Sequence, residues 1–409
     1  MVRHGSLLSQ ILELVPRVEF AEIVRRRRAE KGCKGFSSWD QFVAMLFCQL
    51  GQAHSLREIV GGLGAALGKK LHLGLKETPK RSTLSYANTH RPWQVYQDVF
   101  HALLDRGVGL LQGRLKHPLR FKNPLFSMDA SVIDLCLSIF PWAEFRQTKG
   151  AVKLHMVINH EGYLPVFADL TNGKTHEIRV ARTLLFPKGS VVVFDRGYND
   201  YAYFGSLCAD GVFFVTRAKE GMVVEVVEER PAPGQRGIRS DRIIRLASAK
   251  GREECPYDLR LVEIEVPEKH TTMVFVTNHL TFGPTTIAGI YKERWQIELF
   301  FKAIKQNLRI KTFVGTSKNA LLTQIWTALI AILILKIMAL RSKLGWSLST
   351  LVALLRWNLF AYRDLWEWVD NPFGPPPYED LFEQPSLFGD AFGQHLTQPH
   401  RGTSSRIPR

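Results

Sequence analysis

The sequence predicts an α/β protein in which a mixed sheet is flanked by helices, interrupted by a β-rich insertion and preceded by an all-α segment. Three observations support this class. The first 120 residues have mostly helical patterns, and from residue 121 the chain changes to short apolar runs with strand character. Residues 190–194, SVVVF, form a continuous β-branched run, which is typical of a strand buried on both faces of a sheet.

Capping signals predict the first helices. Ser37 with Asp40 indicates a helix that ends before Gly51, and Ser55 with Glu58 indicates a second helix after a tight turn.

The α/β part follows a definite order of elements. Strand-like runs at 125–135, 151–159 and 163–171 come first, and the last two predict a hairpin. Helical spacing at 175–185, the strand at 190–194 and a further helix come next. This order predicts a mixed sheet with helices packed on it.

The length of the chain, 409 residues, and its hydrophobic content, 45%, allow a large core and two or three domains. We predict a helical domain at 1–120, an α/β domain at 121–345 with a β-rich insertion at 217–285, a C-terminal helical segment at 346–370, and a disordered tail rich in Pro and Gly at 371–409.

The charge of the chain predicts a polyanionic partner. The net charge is +16, and residues 1–120 hold 19 Lys and Arg against 9 Asp and Glu. Such a surface suits nucleic acid or an anionic membrane, and charge alone does not choose between them.

Cysteine usage and hydropathy indicate a cytoplasmic protein. Five cysteines without a CxxC spacing support neither a disulfide framework nor a thiolate zinc site. No export signal is visible at the start of the chain. The most apolar stretch, 320–340, approaches the length of a membrane span, but Thr323, Gln324, Thr327 and Lys336 interrupt it. We favour a helix buried in a protein core over membrane insertion.

Three acids stand out as candidate metal ligands. Asp129 interrupts a strand otherwise fit for burial, Asp195 follows the buried strand at 190–194, and Glu298 lies on a late helix. If the two strands are neighbours and the helix packs across them, the three carboxylates converge. Such a cluster suits Mg²⁺ or Mn²⁺, and two ions would support phosphodiester chemistry. Rival acids lie nearby: Asp134, Asp169, Glu177, Asp200 and Glu293.

The late helix, YKERWQIELFFKAIK (291–305), carries a polar stripe beside its apolar face. At about 100° per residue, Tyr291, Arg294, Glu298 and Lys305 share one edge. The predicted buried face consists of Ile297, Phe300, Phe301, Ile304 and Leu308. The stripe is either a solvated face with i, i+4 charge pairs or, with Tyr291, Arg294 and Lys305, a path for a phosphate backbone.

A second polar segment, KRSTLSYANTHRPW, belongs to the N-terminal region. It is either a polar surface helix or a DNA contact through the side chains of Arg81, Ser82, Thr83, Ser85, Asn88 and Arg91. The run of arginines at 25–28 is likewise either a solvated helix end or a phosphate contact.

The spacing Tyr291, Arg294, Glu298, Lys305 resembles the YREK signature of the insertion-sequence-four family of bacterial transposases. "SMDAS" around Asp129 and "FDRGY" around Asp195 also look like acidic motifs of that family. The similarity covers about residues 122–340, and the helical front end resembles the N-terminal domain often attached to these enzymes.

The resemblance implies a ribonuclease H-like core whose DDE triad, here Asp129, Asp195 and Glu298, holds two divalent ions, Mg²⁺ or Mn²⁺. It implies cleavage of transposon ends to free a 3′ hydroxyl, strand transfer into target DNA, and a homodimer or higher multimer on paired ends near the bacterial nucleoid.

The resemblance also implies a hairpin intermediate, but the insertion departs from the family pattern. It lacks the tryptophan that stacks a flipped base in related enzymes, so Tyr257, Phe275 or another aromatic would have to replace it. Two other functions stay open: a catalytically inactive DNA-binding regulator, and a structure-selective nuclease of the same fold.

Overall fold

The computed structural model describes residues 4–66, 71–111, 118–135, 140, 142, 144–146, 149–231, 237–266, 271–308 and 313–374. Met1–Pro372 form one compact unit, and the chain from Phe373 onward belongs to a second unit. Most of the predicted tail at 371–409 lies outside the described residues.

The described residues of the N-terminal part form six helices: α1 (Leu7–Leu12), α2 (Arg17–Arg26), α3 (Ser38–Leu50), α4 (Leu56–Ala65), α5 (Arg81–His90) and α6 (Gln94–Leu110). Both predicted helix starts are confirmed. Ser37 and Asp40 form a capping box at α3, and the Ser55 hydroxyl accepts a hydrogen bond from the Glu58 N–H at the start of α4.

One mixed sheet contains ten strands: β1 (Leu125–Leu135), β2 (Glu144–Arg146), β3 (Lys149–Asn159), β4 (Leu164–Asn172), β5 (Val191–Phe194), β6 (Phe213–Arg217), β7 (Val224–Glu229), β8 (Ile238–Leu246), β9 (Leu259–Val266) and β10 (Thr271–Thr277). β1 pairs antiparallel with β3 and parallel with β5. β3 and β4 are the predicted antiparallel hairpin, and β6 continues the sheet parallel to β5. This is a ribonuclease H-like sheet, as the fold class predicts.

The β-rich insertion extends this same sheet. β10 pairs antiparallel with β6, and β9, β8 and β7 follow in that order. An unpaired β6 would expose its backbone N–H and C=O groups along an open edge, so the insertion also satisfies the core strands.

In the part of the chain that the structure describes, eight further helices flank the sheet or follow it: α7 (Glu177–Ala181), α8 (Tyr201–Ala209), α9 (Ala249–Glu254), α10 (Pro284–Glu293), α11 (Trp295–Asn307), α12 (Lys318–Arg341), α13 (Leu348–Asn358) and α14 (Leu365–Asp370). The predicted apolar face of α11 is confirmed, since Ile297, Phe300 and Ile304 are all buried.

Helix α12 is the centre of the largest core. It is long and apolar enough to span a membrane, but 94% of its most apolar window is buried inside the protein. It packs against α3, α5, α6 and α13 and against β4. The N-terminal helices, the sheet and the C-terminal helices all contribute residues to this core. A shared core gives no separation at 120, 345 or 370, so these domain boundaries stay predictions.

Candidate active site

The parallel pairing of β1 with β5 brings Asp129 and Asp195 together. Their ladder ends at the pair Met128 and Phe194, so the two aspartates follow side by side. The Asp129 carboxylate accepts a hydrogen bond from the Ala130 N–H at 2.8 Å, and the Asp195 carboxylate accepts one from the Gly197 N–H at 2.5 Å. The predicted neighbourhood of the first and fourth strands is therefore confirmed.

Arg294 links the strand acids to the helix acid. Its guanidinium donates to the Glu298 carboxylate at 2.6 Å, and its other terminal nitrogen lies 3.9 Å from Asp129 Oδ2. The Arg294 side chain is only 12% exposed. The helix predicted over 291–305 is divided at this residue, where α10 ends and α11 begins. The structure thus places a cation between two of the three predicted ligands.

The environment of Asp129 opposes its ionised form. Burial raises its pKa to about 6, the charges of Asp195 and Glu177 add to that rise, and the Ala130 N–H and Arg294 oppose it. A carboxyl group that is costly to ionise is one that gains from a bound cation.

Glu177, one of the rival acids in the sequence, lies close to both aspartates. It lines a small cavity together with Asp129. Glu177 and Asp195 both approach Gly197: a Cβ added there would lie 3.0 Å from Asp195 Oδ1 and 3.7 Å from Glu177 Oε2. Lys153 Nζ on β3 holds the Glu177 carboxylate at 3.1 Å. No local pattern in the sequence separated Glu177 from the other rivals, because its position depends on how α7 folds back onto β1.

A groove of about 360 Å³ runs along α11 from the acids to the end of the polar stripe. Asp129, Glu298, Lys302 and Lys305 line it. Tyr291 lies farther back, where its ring packs on Phe275 and under the Arg294 guanidinium. Glu298 thus pairs with Arg294 and shares the groove with Lys305, while Tyr291 is half-buried against β10.

The predicted DNA contacts of α5 divide into two groups. Arg81, Ser82 and Ser85 are exposed, and Thr83 is partly exposed. The predictions for Asn88 and Arg91 are wrong, because both side chains are buried and engaged within the protein.

Asn88 and Arg91 connect α5 and the residue after it to the first part of α3. Asn88 accepts a hydrogen bond from the Gln41 amide at 2.8 Å, and Arg91 donates to the Ser37 carbonyl at 2.7 Å. These side chains fix α5 against α3 and leave no surface for a base or a phosphate.

The two aromatics suggested for base stacking also differ in exposure. Phe275 is 3% exposed and packs on Tyr291, so it is the less accessible of the two alternatives. Tyr257 is 40% exposed and stays a candidate.

A buried polar network ties the strand of Asp129 to the helix before Arg294. Ser127 Oγ lies 2.6 Å from His160 Nε2, and His160 Nδ1 lies 3.5 Å from the Glu293 carboxylate. The Tyr163 hydroxyl donates to the same carboxylate at 3.0 Å. Burial and the Glu293 charge raise the pKa of Tyr163 to about 12, so its phenol stays protonated and able to donate. Ser127 and His160 are not among the residues that the sequence predicts for the site.

We expect Tyr163→Phe and Glu293→Ala each to lower the free energy of unfolding by about 1–2 kcal/mol, because each leaves a partner of this network unpaired. The double variant should lose about 1 kcal/mol less than the sum of the two. Urea unfolding measures all three values. Tyr257→Phe, at an exposed tyrosine, is the control and should change nothing; additive losses would contradict the network.

The donor chemistry of the site fits a divalent cation. Carboxylate oxygens are the ligands that Mg²⁺ and Mn²⁺ prefer, and the site offers those of Asp129, Asp195, Glu177 and Glu298. Within the described ranges, no three His, Cys, Asp or Glu side chains converge on one point that could hold an ion. The positive charge between Asp129 and Glu298 is that of Arg294.

Comparison with known proteins identifies the class. Residues 120–334 match the model of the transposase DDE domain, and residues 3–76 match a domain of unknown function, DUF4372. The chain is 31% identical over 294 residues to the putative transposase y4zB of Sinorhizobium fredii, covering 70% of this chain and 80% of that protein. It is 26% identical over 255 residues to a probable transposase for insertion sequence element IS5377 of Geobacillus stearothermophilus, covering 59% and 64%.

Among solved structures, the chain is similar to the piggyBac transposase in its synaptic complex with hairpin DNA. The TM-score is 0.42 at 10% identity, over 93% of this chain and 87% of that one.

The chain belongs to the DDE transposase family. It is a transposase of the insertion-sequence type, and members of this family generally use divalent metal ions.

Proposed function

We propose that the protein moves its own insertion sequence by cutting and joining DNA. It binds the terminal inverted repeats, hydrolyses the strand at each end to free a 3′ hydroxyl, and joins that end to target DNA as a homodimer or higher multimer. The observation that carries the proposal is the meeting of Asp129 and Asp195 where the parallel ladder between β1 and β5 ends, opposite the Arg294–Glu298 pair. The Tyr291-Arg294-Glu298-Lys305 spacing supports membership of the YREK branch.

Asp129, Asp195 and Glu298 would hold Mg²⁺ or Mn²⁺, with two ions in the full site. When bound, such ions activate the attacking oxygen and stabilise the leaving oxygen of a phosphodiester. These three carboxylates supply the negative charge that holds the ions. Lys153 Nζ, 3.1 Å from the Glu177 carboxylate, keeps Glu177 next to them.

Arg294 has two roles in this proposal. In the free protein it neutralises Asp129 and Glu298. A DNA phosphate is an alternative partner for its planar guanidinium, and bidentate pairing with phosphate is among the strongest charged hydrogen bonds. We infer that DNA draws Arg294 away from the carboxylates and leaves them to the metal ions, while Lys302 and Lys305 follow the backbone along the groove.

The N-terminal helices would bind the repeats. Arg81, Ser82, Thr83 and Ser85 present charge and hydroxyl groups on the exposed part of α5, and residues 1–120 hold +10 of the net charge of +16.

A hairpin route needs an aromatic ring that stacks an extruded base. Trp295 directly follows Arg294 and is 56% exposed, so it can serve in place of the tryptophan that the insertion lacks.

The test uses oligonucleotides that carry the inverted repeats bordering the gene, with Mg²⁺ or Mn²⁺. We expect nicking at the 3′ end of the repeat followed by joining to a second duplex. Binding without cutting would favour the inactive regulator. Cutting without joining or end preference would favour the nuclease. A chain that does none of these contradicts the proposal.

A further inference from the structure

We propose that a pocket in the N-terminal helical region binds an unpaired nucleotide of DNA, with phosphate at its cationic rim and the base on the Arg17 guanidinium that covers its apolar floor. The pocket, of about 740 Å³, lies between α2, the turn after it and the start of α3. We call it the Arg28 pocket; its rim consists of Arg25, Arg28 and Lys31, and Arg17 covers its floor. The inference rests on the proposed action on DNA and assigns a ligand to a region that matches a domain of unknown function.

The rim contains half of the arginine run at 25–28. Arg26 and Arg27 pair with Asp98 on α6 at 3.0 and 2.7 Å, so these two anchor α2. Arg25 and Arg28 are exposed and line the pocket instead. Within the described chain, neither of them forms an ion pair. Two arginines of the run therefore hold α2 against α6, and the other two contribute positive charge to the rim.

One acid, Glu30, also lines the pocket, but its carboxylate is already engaged. It accepts a hydrogen bond from the Ser38 N–H, next to the start of α3. Four cations against this one acid leave the lining of the pocket with a net charge of +3, which is complementary to phosphate.

The backbone at Arg28 shows that its side chain is costly to keep there. Arg28 follows the end of α2 with φ of 52°, the left-handed conformation in which glycine is usual after a helix. An arginine in this position loses stability relative to glycine. An arginine that lowers stability here is explained if its charge contributes to binding a ligand in the pocket.

The floor is rigid and apolar. Phe20 and Trp39 are 4% and 6% exposed and pack edge to face at 5.1 Å, and Trp39 Nε1 donates to the Leu73 carbonyl at 3.0 Å. The Arg17 guanidinium lies over the Trp39 ring at 3.9 Å. A Cβ at Gly74 would overlap Arg17 Nη2, so glycine is needed there for Arg17 to lie flat.

This combination favours an unpaired nucleotide over the backbone of a duplex. A duplex presents phosphates on a convex surface and keeps its bases stacked, so it would reach the rim but not the floor. Planar cations and apolar surfaces that hold single bases under a cationic rim are typical of single-strand binding. The volume is also in the range of pockets that enclose an organic ligand.

The experiment compares the affinity of the full-length protein for two labelled oligonucleotides with the element's end sequence, one blunt and one with a short single-stranded extension. Two variants test rim and floor separately. Arg25→Ser with Arg28→Gly removes two rim charges, and Ala21→Trp fills the cavity without changing charge. Arg106→Ser, at an exposed arginine on α6, is the control for charge.

Both pocket variants should lose about tenfold in affinity for the extended oligonucleotide and less than about twofold for the blunt one. Removing the two rim charges should also reduce the salt slope of single-strand binding by about 1.4. Arg28→Gly alone should raise Tm by about 2 °C while it weakens binding, which separates a ligand role from a structural one.

Wild-type affinity in both pocket variants overturns the inference, as does an equal loss for blunt and extended DNA, which would assign the cations to a duplex backbone. If the wild type binds neither oligonucleotide, the proposed function fails as well. If it binds and cuts the ends while the pocket variants are neutral, only the Arg28 pocket is excluded.

Discussion

Asp129→Asn is expected to abolish DNA cleavage and, at the same time, to stabilise the metal-free protein. The proposed triad holds the cations of the reaction, and losing about 4 kcal/mol of transition-state stabilisation lowers the rate by ~10³-fold. The stabilisation arises because the asparagine has no charge to bury. A shift of the Asp129 pKa from 3.8 to about 6 corresponds to about 3 kcal/mol. That shift already includes the attraction of Arg294, so the expected stabilisation is about 3 kcal/mol at most.

The pH dependence follows from the direction of that shift. The folded chain holds the Asp129 proton more tightly than the unfolded chain, because the folded pKa is about 6 and the ordinary value is 3.8. Wild-type stability from this group therefore falls as pH rises from about 4 to 6, and the loss is complete above that window. The advantage of Asp129→Asn should be full at about pH 8 and should vanish near pH 4.

Denaturant unfolding at several pH values measures the stability change, and nicking of end oligonucleotides measures the activity. Asp134→Asn is the matched control, because Asp134 is an exposed acid on the same strand, and it should alter neither quantity. Glu298→Gln should lose cleavage equally without gaining stability, since it breaks the 2.6 Å pair with Arg294. Asp129→Asn that cleaves normally would remove Asp129 from the proposed site.

The second large effect is expected in the inserted strands. Arg260 and Asp241 form a buried two-point ion pair, with distances of 2.7 and 2.6 Å and side chains 2% and 4% exposed. Arg260 also donates to the Phe282 carbonyl, in the turn that leads to α10. Arg260→Met should lower the free energy of unfolding by about 3–5 kcal/mol, because it leaves the Asp241 charge buried without a partner.

A double variant checks this reason. Asp241→Val with Arg260→Met removes both charges and should recover at least half of the loss, since replacing a buried pair by apolar groups is often neutral. Arg245→Met, which breaks the exposed pair with Asp258 on the same sheet, is the control and should leave the unfolding midpoint unchanged. A double variant as unstable as Arg260→Met would show that the burial of an unpaired charge is not the cause.

The parts of the site that the sequence predicted depend on local periodicity. An edge of a helix is set by about 100° per residue, so the neighbourhood of Arg294 and Glu298 and the burial of Ile297 followed from spacing. A β-branched run that ends in an acid indicated where Asp195 lies.

The errors concern side chains whose partners are distant in the chain. Asn88 and Arg91 have the composition of a DNA-contacting helix, yet their partners Gln41 and Ser37 lie 47 and 54 positions away. Local composition does not show whether a polar side chain finds such a partner inside the protein.

The sequence by itself determined the order of strands and helices, the choice of the three acids and the face that α11 buries. These features depend on backbone periodicity, capping and the hydrophobic pattern, which act over a few residues. Only the tertiary structure decided that Arg294 lies between Asp129 and Glu298, that Glu177 joins the aspartates, and that the inserted strands continue the core sheet. Those outcomes depend on which distant surfaces pack together and on the cost of leaving a buried charge or a strand edge without a partner.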